Sequence, residues 1–203
     1  MVREVRIADH HDIAQGVVNL PPSGWLGLTY MFSEIGLSIF KRSKNAGDTD
    51  RGSVAVLWIT IGAAIATSMF VRSRTEWALV PAIREFRLLW LLLFVAALGL
   101  RWWSIVHLGR FFTVNVAVAA DQVVVDDGPY RWVRHPSYTG ALLAFLTYAL
   151  YVGHWIGLLI VMVPISIAFA RRISIEEGAL SAGLGAPYRD YMKRTKRLVP
   201  FVF

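Results

Sequence analysis

Residues 53–71, Ser-Val-Ala-Val-Leu-Trp-Ile-Thr-Ile-Gly-Ala-Ala-Ile-Ala-Thr-Ser-Met-Phe-Val, contain no formal charge. A helix of about 20 apolar residues crosses the hydrocarbon of a bilayer, so this run fits one span, with Gly62 and the alanines allowing close helix approach. A second run begins at Leu88 and continues towards Leu108, with Arg101, Trp102 and Trp103 inside it. That trio marks an interface or an internal cavity. Between Tyr138 and Ala170 there is again no formal charge, over a length too great for one untilted span. Gly153, His154 and Gly157 near its middle suggest a tight turn between two helices. Pro164 should loosen the second of them, within what bundled membrane helices tolerate. Residues 24–40 are about one span long but carry Glu34 near the centre; crossing, re-entry and an interfacial position are the alternatives, and a crossing is favoured. The expected fold is all-α: a polytopic membrane helical bundle of about five membrane helices, near 24–40, 53–71, 88–108, 138–152 and 155–170. One domain over residues 1–203 follows from the length.

Composition agrees, with 56% hydrophobic and 17% charged residues. Cysteine is absent, which removes disulfides, thiolate metal sites and a cysteine nucleophile. The amino-terminal residues Arg3, Glu4, Arg6, Asp9, His10, His11 and Asp12 do not read as a cleaved signal, so the first membrane helix is expected to anchor the mature chain. The net charge of +7 does not call for nucleic acid, because Lys and Arg lie in short loops between apolar segments. They concentrate in residues 41–52, 110–137 and 171–203, which the positive-inside rule places in the cytoplasm together with the carboxyl terminus. Arg72, Arg74, Arg84 and Arg87 run against that orientation. Past Leu180 the chain leaves the membrane, and Tyr188, Tyr191, Thr195 and Leu198 at helical spacing among basic residues read as a surface helix on anionic lipid headgroups.

Two polar clusters flank the apolar hairpin, Asp121 to Tyr138 before it and Arg171 to Glu177 after it, and a hairpin returns both to one membrane face. Ionisable groups at a membrane boundary usually mark a site. Arg172 and Glu176 are four apart and share a helix face. They read either as a surface ion pair contributing about 0.3–0.5 kcal/mol or as a site for a zwitterion and an anion, with Glu176 meeting an ammonium and Arg172 gripping a carboxylate. His135 before a proline reads alternatively as a helix cap, and Tyr130, Trp132 and Tyr138 as interfacial anchors. His107 and His154 sit at segment ends and read as interfacial. His10 and His11 show no ligand spacing, so no metal is expected.

The ordered motifs Gly128-Pro129-Tyr130-Arg131-x-Val-Arg134-His135-Pro136-Ser137-Tyr138-x-Gly140, then Arg172-x-x-x-Glu176-Glu177-x-x-Leu180, Tyr188-x-x-Tyr191 and Leu198-Val199-Pro200-Phe201, resemble the isoprenylcysteine carboxyl methyltransferase family. The match covers roughly the last ninety residues. The resemblance implies an integral membrane enzyme using S-adenosyl-L-methionine, with the cofactor enclosed by about residues 115–203 on the cytosolic face and a lipophilic or prenylated substrate entering from the bilayer. It implies cofactor contacts from Gln122, Val123, Val124 and Val125 on the adenine side, and from Tyr130, His135, Pro136, Ser137, Tyr138 and Glu176. It gives Arg172 the substrate-facing, catalytic role and adds Asn115 as a further polar contact. Gln122 departs from the histidine that many relatives carry; glutamine donates and accepts hydrogen bonds but does not titrate near neutrality.

The implied reaction is methyl transfer to the carboxylate of an isoprenylated cysteine or similar thiol compound, with a phospholipid amine or a small thiol as alternative acceptors. Two other classes compete. An NADPH-dependent sterol-type reductase carries a similar Arg-His-Pro-x-Tyr segment, but Ser137 and Ala141 depart from its pattern. A non-catalytic membrane protein with lipid-binding basic loops would bind neither nucleotide nor sulfonium.

Overall fold

A computed structural model describes residues 22–40, 48–116, 118–119 and 121–200. The amino-terminal charges, His10, His11, Lys41, Arg42, Lys44 and Phe201 lie outside the described residues. Among those described, the secondary structure is helical: α1 (Pro22–Phe40), α2 (Asp48–Arg72), α3 (Pro81–Glu85), α4 (Arg87–Leu108), α5 (Pro136–Val152), α6 (Trp155–Leu184) and α7 (Ala186–Arg194). Three stretches, 52–72, 87–111 and 155–184, are long and apolar enough to cross a membrane. Those lengths and compositions make the chain a multi-pass membrane protein.

Five spans were expected; among the described residues five long helices stand near the expected places, and three of them meet the length and apolarity of a span. The other two are marginal for different reasons. At 17 residues α5 stands at the short end of the lengths that cross a bilayer, and α1 carries Thr29, Ser33 and Glu34. The second helix of the hairpin also differs from expectation. It does not stop near residue 170 but runs 30 residues, about 45 Å at 1.5 Å per residue, through Arg171–Glu177 to Leu184. Charged side chains at the membrane boundary find partners there, so they need not end the helix. Pro164 lies inside this continuous helix.

Helix α4 packs most extensively on α5, and α2 on α6. The α4–α5 contact depends on Gly140, where an added Cβ would lie 2.7 Å from both the Ala97 carbonyl oxygen and the Arg101 backbone nitrogen. Gly62, expected to allow close approach, has open space around its missing side chain. Ile61, Phe94, Ala141, Phe145, Ile165 and Phe169 belong to the shared core, while Ile59, Leu88, Val106 and Ile167 stand exposed on outer faces, as lipid-facing side chains do. Helices α5 and α6 turn through Gly153, in the left-handed region at φ 68°. His154, expected at an interface, is buried: its Nδ1 accepts from the Gly157 amide at 2.9 Å, and its Nε2 lies 3.0 Å from both oxygens of Thr75. It caps α6 and fastens the hairpin to the loop after α2, at the far end of the hairpin from the polar clusters.

Candidate functional site

The chain leaves α4 through Gly109, whose positive φ turns it aside into a short 3-10 turn at Gly109–Phe111, and its described residues from there to the Gly128–Arg131 turn form a strip without α-helix. Gly128 also has positive φ, and a Cβ there would meet the His107 ring at 2.6 Å. His135 then flanks the start of α5, with Pro136 at the first turn, where its missing N–H costs nothing. The carboxyl-terminal tail returns to this junction. The amides of Arg134 and His135 donate to the carbonyls of Lys196 at 2.8 Å and Arg197 at 3.0 Å.

A buried carboxylate fixes the junction from below. Glu177 Oε1 accepts from Arg134 Nε at 2.8 Å and lies 3.3 Å from His135 Nε2, while its Oε2 accepts from Arg197 Nε at 3.0 Å. Arg134 Nη1 donates in addition to the carbonyls of Met192 and Thr195. One side chain on α6 thus holds the loop before α5 and the tail together. In the sequence Glu177 stands out only as part of a motif, without a role of its own, because nothing in local spacing signals partners 20 and 43 residues away.

Above this junction lies a cavity of about 830 Å³, including its open mouth. Gln122, Val123, Val124, Val125, Tyr130, His135, Ser137, Tyr138, Arg172 and Glu176 all reach its wall, as does Asn115. Pro136 does not; it is fully buried, and its place is the start of α5. Phe112, Val118 and Leu184 also line it and were not singled out in the sequence, because isolated apolar residues beside a membrane carry no signal of their own. Gln122 spends its side chain locally, accepting from the Ala119 amide at 3.0 Å, so it shapes the strip as well as lining the cavity.

Arg172 and Glu176 do share a face, and the Tyr138 hydroxyl stands between them. It donates to Glu176 Oε2 at 2.6 Å and accepts from Arg172 Nε at 2.9 Å. Arg172 is buried and also donates to Ser53 Oγ at 2.9 Å and to the Val114 carbonyl, tying α6 to α2 and to the strip. This is not the exposed ion pair of a solvated helix face. Glu176 keeps 28% of its side chain accessible and presents a carboxylate to the cavity. The His135 ring stacks on Tyr138 at 5.5 Å between centroids and 11° between planes, which orients the phenol.

The other phenols are donors rather than bases. Burial, and then the negative field of Glu176, push the Tyr130 phenol well above its ordinary value, and its hydroxyl donates to the Ser104 carbonyl at 3.2 Å. Burial raises Tyr188 and Tyr191 likewise, and Tyr191 donates to the Tyr130 carbonyl at 2.6 Å. These two tyrosines correct the expected surface helix. They turn inward from α7 to wall the cavity, and the helix ends at Arg194, before Thr195 and Leu198. Trp132 alone of the expected anchors is largely exposed.

A second cavity, of about 510 Å³ including its open mouth, lies between α1, α2, α4 and α6, where Leu57, Trp58, Ile61 and Phe169 line it together with Tyr30 and the charged Glu34 and Arg101. Phe112, Thr113, Tyr138 and Arg172 belong to both linings, so Tyr138 and Arg172 form the partition between the first, polar chamber and the second.

A helical membrane protein with such a paired chamber at one end of its bundle defines the class. The family model for the isoprenylcysteine carboxyl methyltransferase (ICMT) family matches residues 90–182, and the chain belongs to this family. It is 31% identical over 101 residues to protein-S-isoprenylcysteine O-methyltransferase of Schizosaccharomyces pombe, covering 49% of this chain and 43% of the relative. It is 41% identical over 75 residues to methanethiol S-methyltransferase 2 of Bradyrhizobium diazoefficiens, covering 36% of this chain and 27% of that protein. The solved structure of a eukaryotic intramembrane Ras methyltransferase, an isoprenylcysteine carboxyl methyltransferase, superposes with a TM-score of 0.60 at 26% identity, over 70% of this chain and 52% of the other. The chain spans about half the length of the curated isoprenylcysteine methyltransferases it matches.

Proposed function

We propose that this protein transfers a methyl group from S-adenosyl-L-methionine to a lipophilic acceptor that enters from the bilayer. The observation that carries the reading is the hydrogen-bonded series Arg172–Tyr138–Glu176, whose Arg172 and Tyr138 stand between two adjoining chambers. The polar chamber suits the donor. Glu176 offers a partly accessible carboxylate to an ammonium, and the valine strip at 123–125 with Val118 offers apolar surface to a purine.

When bound, the sulfonium supplies an activated methyl group, and an ionised acceptor needs no strong base. Positioning and exclusion of water then carry most of the work; oriented approach contributes up to about 7–11 kcal/mol in favourable cases. Glu176 holds the donor's amine. Tyr138, fixed by the His135 ring, aligns Glu176 with Arg172. Arg172 orients the acceptor's reacting oxygen at the partition, and Leu57, Trp58, Ile61 and Phe169 of the second chamber take the acceptor's hydrocarbon. Tyr130 and Tyr191, both kept protonated by burial, rigidify the chamber floor. The active site and the carboxyl terminus face the cytoplasm, and the basic face of α7 meets anionic headgroups.

The first acceptor class is the carboxylate of an isoprenylated cysteine. A lipophilic thiol is the second, and one observation favours it: the Arg172 guanidinium already donates to Tyr138, Ser53 and Val114, and a thiol needs no guanidinium partner. Transfer from radiolabelled donor to an S-farnesyl cysteine derivative and to a long-chain alkanethiol separates them. A carboxylate acceptor gives a rate flat from about pH 6 to 9, whereas a thiol of pKa about 8.5 or higher gives a rate rising with pH. Arg172→Ala abolishes transfer to the carboxylate with donor affinity kept within a few fold. Equal transfer by that variant would remove Arg172 from the reaction.

A further inference from the structure

Arg101 lies inside the apolar run of α4, buried, at a position where an unpaired charge would be expensive. Its Nε and Nη2 grip both oxygens of Glu34 from α1, at 2.6 and 2.7 Å, and Glu34 is buried as well. The remaining terminal nitrogen, Nη1, donates to the Ser137 carbonyl at 3.2 Å and to the Ser137 hydroxyl at 3.1 Å. Ser137 lines the polar chamber and precedes Tyr138, the phenol joining Arg172 to Glu176. Gly140, one turn on, lets α5 approach the Arg101 backbone closely enough for this reach.

A buried ion pair is poor evidence for stability, since apolar replacements of similar volume are often as stable, so what it holds in place is the sharper question. Here the guanidinium has a use on each side. We infer that Arg101, set in orientation by Glu34, is a positioning residue for the methyl-donor site: it fixes the first turn of α5 through Ser137 and thereby the Tyr138 hydroxyl. The inference rests on the proposed donor binding and extends the site to α1, a helix that contributes no side chain to the polar chamber. Guanidinium geometry matters because one planar fork serves a bidentate carboxylate and Ser137 together. A lysine ammonium retains the charge facing Glu34 and loses that simultaneous geometry.

The test is a double-mutant cycle on donor affinity, which needs no acceptor. Calorimetric titration of the detergent-purified protein with S-adenosyl-L-methionine compares the parent, Arg101→Lys, Tyr138→Phe and the double variant. If Arg101 acts through Tyr138, each single change weakens binding about tenfold, and the double weakens it 10- to 20-fold rather than a hundredfold. A merely structural role gives independent losses that multiply. Glu34→Gln, which keeps an acceptor oxygen for Arg101, replaces Arg101→Lys if the latter does not fold, with the same coupling expected. Arg101→Lys binding within twofold of the parent, or multiplicative losses in the cycle, overturns the inference. A parent that binds no donor overturns the methyl-transfer reading itself.

Discussion

Removing one oxygen, by Tyr138→Phe, probes the partition with the least disturbance. The hydroxyl makes two hydrogen bonds to charged groups, at 2.6 Å to Glu176 and 2.9 Å to Arg172. Hydrogen bonds to charged groups contribute about 1.5–3 kcal/mol each. Both partners retain alternatives that reduce the loss. Glu176 is 28% accessible, so water replaces the phenol there, and Arg172 still donates to Ser53 and Val114. The remaining penalty, about 1–2 kcal/mol, falls on the orientation of Glu176 and corresponds to a 5- to 30-fold weaker donor affinity. The ring itself stays stacked on His135 and packed on Phe169, so the melting temperature should move little. Calorimetry with S-adenosyl-L-methionine and thermal unfolding on the same preparation measure the two quantities separately. Tyr148→Phe, at a cavity lined by His154 and Gly157, is the control and should bind donor as the parent does. Tyr138→Phe with parental affinity would refute the role given to this hydroxyl.

Gly140→Ala should lower stability by about 1–3 kcal/mol, because the atoms its Cβ meets are backbone of α4 and cannot swing aside; Gly62→Ala, with open space, should be neutral or stabilising in the same thermal assay. Glu177→Gln keeps the shape but leaves Arg134 facing a neutral group. The loss should be near the lower end of the about 3–5 kcal/mol for a broken buried pair, since Arg197 is partly exposed to water. Hydrogen exchange should show the Arg134 and His135 amides, which donate to the tail, losing protection before those of the α4–α5 core. Uniform loss across the bundle would instead show that Glu177 supports the whole fold.

The parts of this architecture written in local pattern were legible. Residues 53–71 and 88–100 announce helices by uninterrupted apolar length, and Gly153 announces the hairpin turn. The ordered polar motifs brought ten of the eleven expected site residues and Asn115 towards one cavity, Pro136 being the exception. What stayed hidden depends on distant partners. Glu34 and Arg101 are 67 residues apart, and neither neighbourhood discloses the other. The charges at 171–177 looked like the end of a span, but a helix continues wherever its polar groups are satisfied, as Glu177 is. The tyrosines of α7 have the spacing of a surface helix, and only a partner 61 residues away, the Tyr130 carbonyl that Tyr191 meets, shows that their face turns inward.

The most direct measurement titrates detergent-purified protein and its Glu176→Ala variant with S-adenosyl-L-methionine, its demethylated product and NADPH by calorimetry. The parent should bind the first two and not the third, and the variant should bind both at least tenfold more weakly while unfolding as the parent does. Binding of NADPH alone, or donor binding that ignores Glu176, would contradict the account.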